Sequence, residues 1–205
     1  MLAVVGCVSG NGSTSEQAQV SPEEARRALA IVDEHKSYGR VDDELRWAPS
    51  LCRLPMPGVS RPSTSMDAAT HGQKLYSVFA KDHAGYPDDS KPGQVVVKES
   101  YRAELVTDPS FVYSPESLSQ APTGDDHFYP YAERDGHIYR AAELAGWYIL
   151  YKVDRSAPNN DEGWVYATVT ADRKVTASGR IGSCMGCHET APHERLFGVP
   201  THYVP

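Results

Sequence analysis

The residues SCMGCH at positions 183–188 place a Cys-x-x-Cys-His pattern close to the carboxyl end of the chain. In c-type haem attachment, two thiols separated by two residues bond to the two vinyl groups of one porphyrin. The histidine that follows then lies beneath the iron. The motif therefore predicts a covalent haem c held by Cys184 and Cys187, with His188 as the proximal iron ligand. Because the pattern occurs once, we expect one haem.

Two other chemistries use closely spaced cysteines. A thiol redox motif normally opens a helix after a strand in a βαβ unit, whereas the segments before this motif predict a hairpin. A structural zinc site needs a second pair of ligands, which His193 and His202 supply only loosely. Haem attachment is the preferred interpretation.

The overall composition limits the class of partner. The chain has 205 residues and a formal net charge of −7, which is enough length for one domain with a sizeable core. Nucleic-acid binding calls for a basic face, so we expect no nucleic-acid partner. The charge leaves a small molecule or a basic protein partner open. No stretch approaches the roughly 20 apolar residues of a membrane span.

The first seven residues, MLAVVGC, resemble the end of a bacterial lipoprotein signal in which Cys7 is lipidated. An unremarkable leader is the alternative. If Cys7 carries lipid and the motif carries haem, Cys52 alone remains of the four cysteines, so no disulfide framework is expected. We therefore expect an exported protein, periplasmic or at the outer envelope, that touches a membrane only through a lipid anchor.

The chain divides into a leader with a flexible linker, residues 1–20, and a single haem-binding domain, residues 21–205. Ser21, Pro22 and Glu24 fit a capping box with proline at the first helical position, which predicts a helix ending near Gly39. Prolines interrupt residues 48–70 and predict an irregular loop there.

Alternation of apolar and polar residues predicts four strands and a closing hairpin. The predicted strands are Lys74–Lys81, Gly93–Val106, Gly146–Val153, Gly163–Thr170 and, after a turn, Lys174–Ala177. A long loop or insertion is expected from Thr107 onward. The predicted fold class is α+β: mainly antiparallel β-sheet packed on a covalently bound haem, with an N-terminal helix.

This order of elements, with the segments KESYRAEL, YKVDRSAPNNDEGWVYATV and SCMGCHETAPHERLFG, resembles the cytochrome P-460 and cytochrome c′-beta family over roughly residues 74–198. The resemblance implies an antiparallel sheet packed on the haem, usually in a homodimer. It also implies hydroxylamine oxidation or nitric oxide binding, so the expected partner is a redox protein or a small nitrogen-oxide ligand. In the hydroxylamine-oxidising members a lysine is bonded to the porphyrin, and Lys98 matches that position; the alternative is a solvent-facing strand lysine.

The chain departs from the catalytic members of that family in one respect. Those members place a carboxylate over the distal iron face, on the strand before the Gly-Trp strand. The matching stretch here, Trp147–Val153, contains no acid. Removal of a proton from a bound substrate needs a positioned base, so this departure weakens the enzyme interpretation.

The distal iron ligand decides between the functions. An open position favours binding or oxidation of a small ligand, whereas a strong protein ligand favours electron transfer. The candidate ligands are His71 and Met66, followed by Cys52 and Met56. For each of them a packing or structural role is the alternative.

The side chains around the haem follow from the strand pattern. Because side chains alternate along a strand, only half of the aromatic candidates can face a porphyrin; these candidates are Tyr148, Tyr151, Trp164 and Tyr166. Arg180 and Arg195 flank the motif and are candidates for pairing with haem propionates. We expect one-electron transfer, with a hydroxylamine-oxidising enzyme and a nitric oxide binding protein as alternatives.

Overall fold

The computed structural model describes residues 20–42, 46–47, 51–53, 60–62, 74–112 and 130–198. These residues form a mainly antiparallel β-sheet and two α-helices. In chain order the elements are α1 Pro22–Glu34, β1 Gly39–Arg40, β2 Arg46–Trp47, β3 Leu51–Arg53, β4 Ser60–Pro62, β5 Lys74–Ala80, β6 Val95–Leu105, β7 Tyr131–Arg134, β8 His137–Lys152, β9 Trp164–Thr170, β10 Val175–Gly179 and α2 Gly182–His188.

Helix α1 begins at the predicted capping box. The Glu24 backbone N–H donates to Ser21 Oγ at 3.2 Å, and the Ser21 backbone N–H donates to Glu24 Oε2 at 3.0 Å. These two bonds satisfy donors that the first turn of a helix leaves unpaired. Ala28, Ile31 and Val32 are buried on one side of the helix, as an amphipathic helix against a sheet requires. The predicted N-terminal helix is confirmed.

The main sheet has the strand order β1-β5-β6-β8-β9-β10, with β2 also paired to β5 and β7 to β8. All of these pairings are antiparallel, and Lys98 of β6 lies between Val78 of β5 and Tyr148 of β8. Strands β3 and β4 form a separate two-stranded sheet.

Both faces of the central strands are covered. One face packs against α1 through Phe79, Val97, Ile149 and Ala167. The opposite face packs against α2 through Val78, Val96, Leu150 and Tyr166. The near-continuous burial along residues 146–152 of β8 and along β9 follows from the packing of helices on both faces of the sheet. The motif helix and the N-terminal helix therefore lie on opposite sides of one sheet.

The structure corrects two of the predictions, the start of one strand and the loop over residues 48–70. Strand β8 begins at His137 rather than at Gly146 and pairs with β7, so part of the expected insertion is sheet. Gly146 is a mid-strand residue with φ of 145°, and a Cβ there would lie 2.4 Å from the Val169 carbonyl oxygen. The glycine at position 146 thus marks a close approach between β8 and β9, not the start of a strand. The loop expected over residues 48–70 contains the short strands β3 and β4.

A buried carboxylate joins α1 to the sheet. Glu99 of β6 accepts a hydrogen bond from the Tyr101 hydroxyl at 2.5 Å and one from Lys36 Nζ. His35 Nε2 lies 3.5 Å from Glu99 Oε1. Burial raises the pKa of Glu99, but the contacts with His35, Lys36 and Tyr101 outweigh burial and hold that pKa at about 2.

We expect Glu99→Gln to lower the free energy of unfolding at pH 7 and to matter less in acid. A carboxyl whose folded pKa lies below its unfolded value stabilises the protein above about pH 4.5, and this contribution is lost as the pH falls towards 2. The difference between wild type and variant, on the order of 3 kcal/mol, should shrink between pH 5 and pH 2 in urea titrations. Glu104→Gln, on the exposed end of the same strand, is the control. If the difference in unfolding free energy between wild type and Glu99→Gln did not change with pH, the low pKa of Glu99 would not be the source of this stability.

Candidate haem site

Helix α2 carries the Cys-x-x-Cys-His motif on one of its sides. Cys184, Cys187 and His188 occupy positions i, i+3 and i+4, which neighbour one another on a helix surface. The two cysteines are free thiols, each partly buried. Two thiols one helical turn apart, with an imidazole beside them, match the donor set of covalent haem attachment.

The surroundings of Cys184 do not suit thiol redox chemistry. Burial raises the pKa of the Cys184 thiol to about 11, whereas a redox-active thiol has a lowered pKa. The motif does lie in a helix that follows a strand, as in thiol redox proteins. The preceding strands β9 and β10, however, form an antiparallel hairpin rather than a βαβ unit.

The zinc alternative gains no support from the part of the chain that the structure describes. His193 Nδ1 pairs with Asp88 Oδ1 at 2.6 Å and is not directed at the cysteines. In those same ranges no group of three or more His, Cys, Asp or Glu side chains is placed to hold a metal ion. His202 lies outside the described residues.

His188 is held in a defined orientation. Its Nδ1–H donates to the Arg195 carbonyl at 2.5 Å, which leaves Nε2 as the nitrogen that can bind a metal. The imidazole ring lies between Tyr166, at 5.5 Å between ring centroids, and Phe197, at 5.4 Å. Burial lowers the pKa of His188 and so favours the neutral imidazole that metal ligation requires.

The Arg195 carbonyl belongs to a tight turn over residues 193–196. The two ends of the turn exchange backbone hydrogen bonds of 3.0 Å. Glu194 and Arg195 have φ of 45° and 78°, a left-handed conformation that costs a residue with a side chain on the order of 1 kcal/mol. The surrounding structure must therefore stabilise this turn.

Two side chains of the sheet form hydrogen bonds with Glu194 in this turn. Trp164 is fully buried, and its Nε1–H donates to the Glu194 carbonyl at 2.7 Å. Lys152 Nζ donates to Glu194 Oε2 at 2.6 Å and lies 5.2 Å from the Trp164 ring centroid. The turn is thereby fixed to the ends of β8 and β9.

Lys98 lies on the same face of the sheet as α2. Its Nζ is 4.5 Å from the Tyr76 ring centroid and 5.5 Å from that of Tyr148. Burial lowers the pKa of Lys98 to about 7, an effect that the nearby Cys184 and Cys187 sulfurs partly oppose. Lys98 is half-buried on this face, and its amine lies within electrostatic reach of both cysteines.

Of the four aromatic candidates, Tyr148, Trp164 and Tyr166 share the α2 face, and Tyr151 belongs to the cluster under α1. Arg195 Nη2 is bonded to Asp161 Oδ1 at 2.9 Å, whereas its buried Nε has no hydrogen-bond partner among the described residues. Arg180 is exposed and lines a polar surface pocket together with Arg155 and Asn159.

Several predicted site residues cannot be placed. Cys7, Met56, Met66 and His71 lie outside the described residues. Cys52 lies in β3, whose backbone runs close to α2.

Sequence reasoning missed Asp161 altogether. The Asp161 side chain is buried and accepts hydrogen bonds from the Tyr166 hydroxyl and from Arg195 Nη2, both at 2.9 Å. Its link to Arg195 spans 34 positions. No short-range spacing could have revealed that link.

The described residues thus define a class of site: an apolar sheet face, a C-terminal helix with two thiols and an oriented imidazole, and a half-buried lysine. Among known protein-family models and curated proteins, none matches this chain. Family membership accordingly stays a proposal. In the described ranges no helix is long and apolar enough to cross a membrane.

Trp164→Phe should lower the free energy of unfolding by about 2 kcal/mol, because it removes a buried hydrogen bond and leaves a small cavity. Trp147→Phe is the matched control. Trp147 is also buried, but its Nε1 has no hydrogen-bond partner among the described residues. Trp147→Phe should therefore lower the free energy of unfolding by about 1 kcal/mol less than Trp164→Phe does. Urea unfolding of both variants measures the difference. Equal losses would show that the bond to Glu194 does not stabilise the turn.

Proposed function

We propose that this protein is a monohaem c-type cytochrome that carries single electrons, with the architecture of the cytochrome P-460 and cytochrome c′-beta family. The observation that carries the proposal is the geometry of α2. Cys184, Cys187 and His188 lie on one side of this helix, and the His188 Nδ1–H is already bonded to the Arg195 carbonyl. A histidine that binds a metal through Nε2 almost always donates its other ring N–H to an acceptor such as this carbonyl.

The residues present fit a covalent haem. Each thiol would add across one vinyl group: a carbon–sulfur bond forms, and the thiol hydrogen goes to the other vinyl carbon, so no oxidant is consumed. The bound haem would supply one-electron chemistry at its iron. His188 Nε2 would hold the metal, and the apolar α2 face of the sheet would exclude water.

Electron transfer fits the distribution of acids better than substrate oxidation does. Among the described residues, the buried carboxylates are Asp42, Glu99 and Asp161. Asp42 is bonded to Ser77 and Val78, Glu99 lies on the α1 face, and Asp161 is bonded to Tyr166 and Arg195. Each of these carboxylates already accepts hydrogen bonds from protein groups. The stretch Trp147–Val153 adds no base.

A second candidate function, hydroxylamine oxidation or nitric oxide binding, is favoured by the position of Lys98. This amine lies beside both cysteines, as a porphyrin-bonded lysine would need to. An amine with a pKa of about 7 is largely neutral in mildly alkaline solution and thus nucleophilic. The missing carboxylate speaks against catalysis but leaves ligand binding open.

The remaining proposals concern the cellular location and the partners of the protein. We propose export to the periplasm or outer envelope, with Cys7 as a lipid anchor, because c-type haem attachment in bacteria takes place outside the cytoplasm. The partner would be a redox protein. Family likeness supports a homodimer, and the net charge of −7 argues against nucleic acid.

Matured in a host with haem-ligation machinery, the full chain should gain the mass of one haem and give a pyridine haemochrome spectrum with two thioether bonds. Cys184→Ala and Cys187→Ala should each shift that spectrum to the single-thioether form. Cys52→Ala is the control and should leave it unchanged. Wild-type protein without covalent haem would overturn the proposal.

Spectra of the ferric and ferrous protein separate the two candidate functions. A low-spin six-coordinate ferric EPR signal supports the electron carrier. A high-spin signal with a strongly red-shifted ferrous Soret band supports a lysine cross-link, and Lys98→Ala should then abolish the shift. Lys152→Arg, which keeps a cation near Glu194, is the control. A red shift that survives in Lys98→Ala would exclude Lys98 as the bonded residue.

A further inference from the structure

The bond that orients His188 depends on a buried polar network outside the motif. Asp161 lies between two donors, with the Tyr166 hydroxyl on Oδ2 and Arg195 Nη2 on Oδ1, both at 2.9 Å. The side chain of Asp161 is 7% exposed, so solvent cannot substitute for these donors. Arg195 in turn carries the carbonyl that accepts the His188 Nδ1–H.

The network holds a strained backbone in place. Arg195 has φ of 78°, and an unsupported residue would leave this conformation readily. A guanidinium bonded to a buried carboxylate is a short, charge-assisted contact. It fixes the side chain of the residue whose carbonyl faces His188, while Trp164 fixes the preceding carbonyl.

Tyr166 completes the network from the sheet. Burial and the bond to Asp161 raise the pKa of Tyr166, so its hydroxyl keeps the proton that it donates. The same ring lies 5.5 Å from the His188 ring, centroid to centroid. Tyr166 therefore contacts the imidazole and anchors the carboxylate that holds the turn behind it.

We propose that Asp161, with Tyr166 and Arg195, is a positioning residue that sets the reduction potential of the haem through the Arg195 carbonyl and His188. This inference rests on the proposed function. A well-aligned Nδ1–H···O bond makes the imidazole a stronger electron donor. Such a donor favours the ferric state and lowers the potential. Loosening the network should therefore raise the potential.

The test is spectroelectrochemical titration of holoprotein variants. Asp161→Asn and Arg195→Met should each raise the equilibrium constant for reduction at least threefold, which corresponds to about 28 mV for one electron. Tyr166→Phe should produce a smaller rise in the same direction. Glu162→Gln, which removes an exposed carboxylate beside Asp161, should leave the potential unchanged.

The two ends of the Arg195–Asp161 pair distinguish positioning from simple charge. Loss of the Asp161 negative charge alone would raise the potential, but loss of the Arg195 positive charge alone would lower it. A fall in Arg195→Met, or no change in either variant, would overturn the inference. If Asp161→Asn does not accumulate as holoprotein, the direction in which the reduction potential shifts in Arg195→Met and Tyr166→Phe still tests the inference. Wild-type protein that lacks covalent haem would instead reject the proposed function.

Discussion

The alternation of side chains along β6 is the constraint on which the rest of the structure depends. Lys98 and Glu99 are neighbours in sequence but must lie on opposite faces of the sheet. Glu99 contacts His35 and Lys36, which directly follow α1, and Lys98 lies within electrostatic reach of the thiols of α2. Of these two neighbouring residues of β6, each thus places an ionisable group on a different face, next to the helix that covers that face. A one-residue slip of register would exchange the two groups.

The carboxyl-terminal segment is short and gains its order from the sheet. Helix α2 has 7 residues, too few to be stable alone. It is stabilised by packing of Ile181, Cys184 and Met185 on the apolar face. The turn that follows contains two residues at positive φ and is fixed by Trp164, Lys152 and Asp161. The geometry of His188 is therefore a property of β8, β9 and the loop between them as much as of the motif.

Local sequence signals predicted the elements that obey local rules. The capping box gave the start of α1, and alternation gave β5, β6 and β9 to within a few residues. The arm formed by β7 and the first half of β8 was missed, because its polar and exposed residues produce no clear alternation. At the site, the motif predicted the thiols and the imidazole, and the resemblance indicated Lys98. Asp161 could not be predicted, because its contacts with Tyr166 and Arg195 exist only once the sheet has formed.

The distribution of polar contacts also bears on what the site can do. Asp161 accepts hydrogen bonds from Tyr166 and from Arg195, and Arg195 contacts His188 on its Nδ1 side. The buried polar groups around α2 are thus arranged to fix the imidazole rather than to move protons to or from a substrate. If the proposed haem is bound, this arrangement would keep its His188 ligand in one orientation. Lys98 adds a further ionisable group to this face of the sheet, and its amine, with a lowered pKa, lies within electrostatic reach of both thiols and of His188.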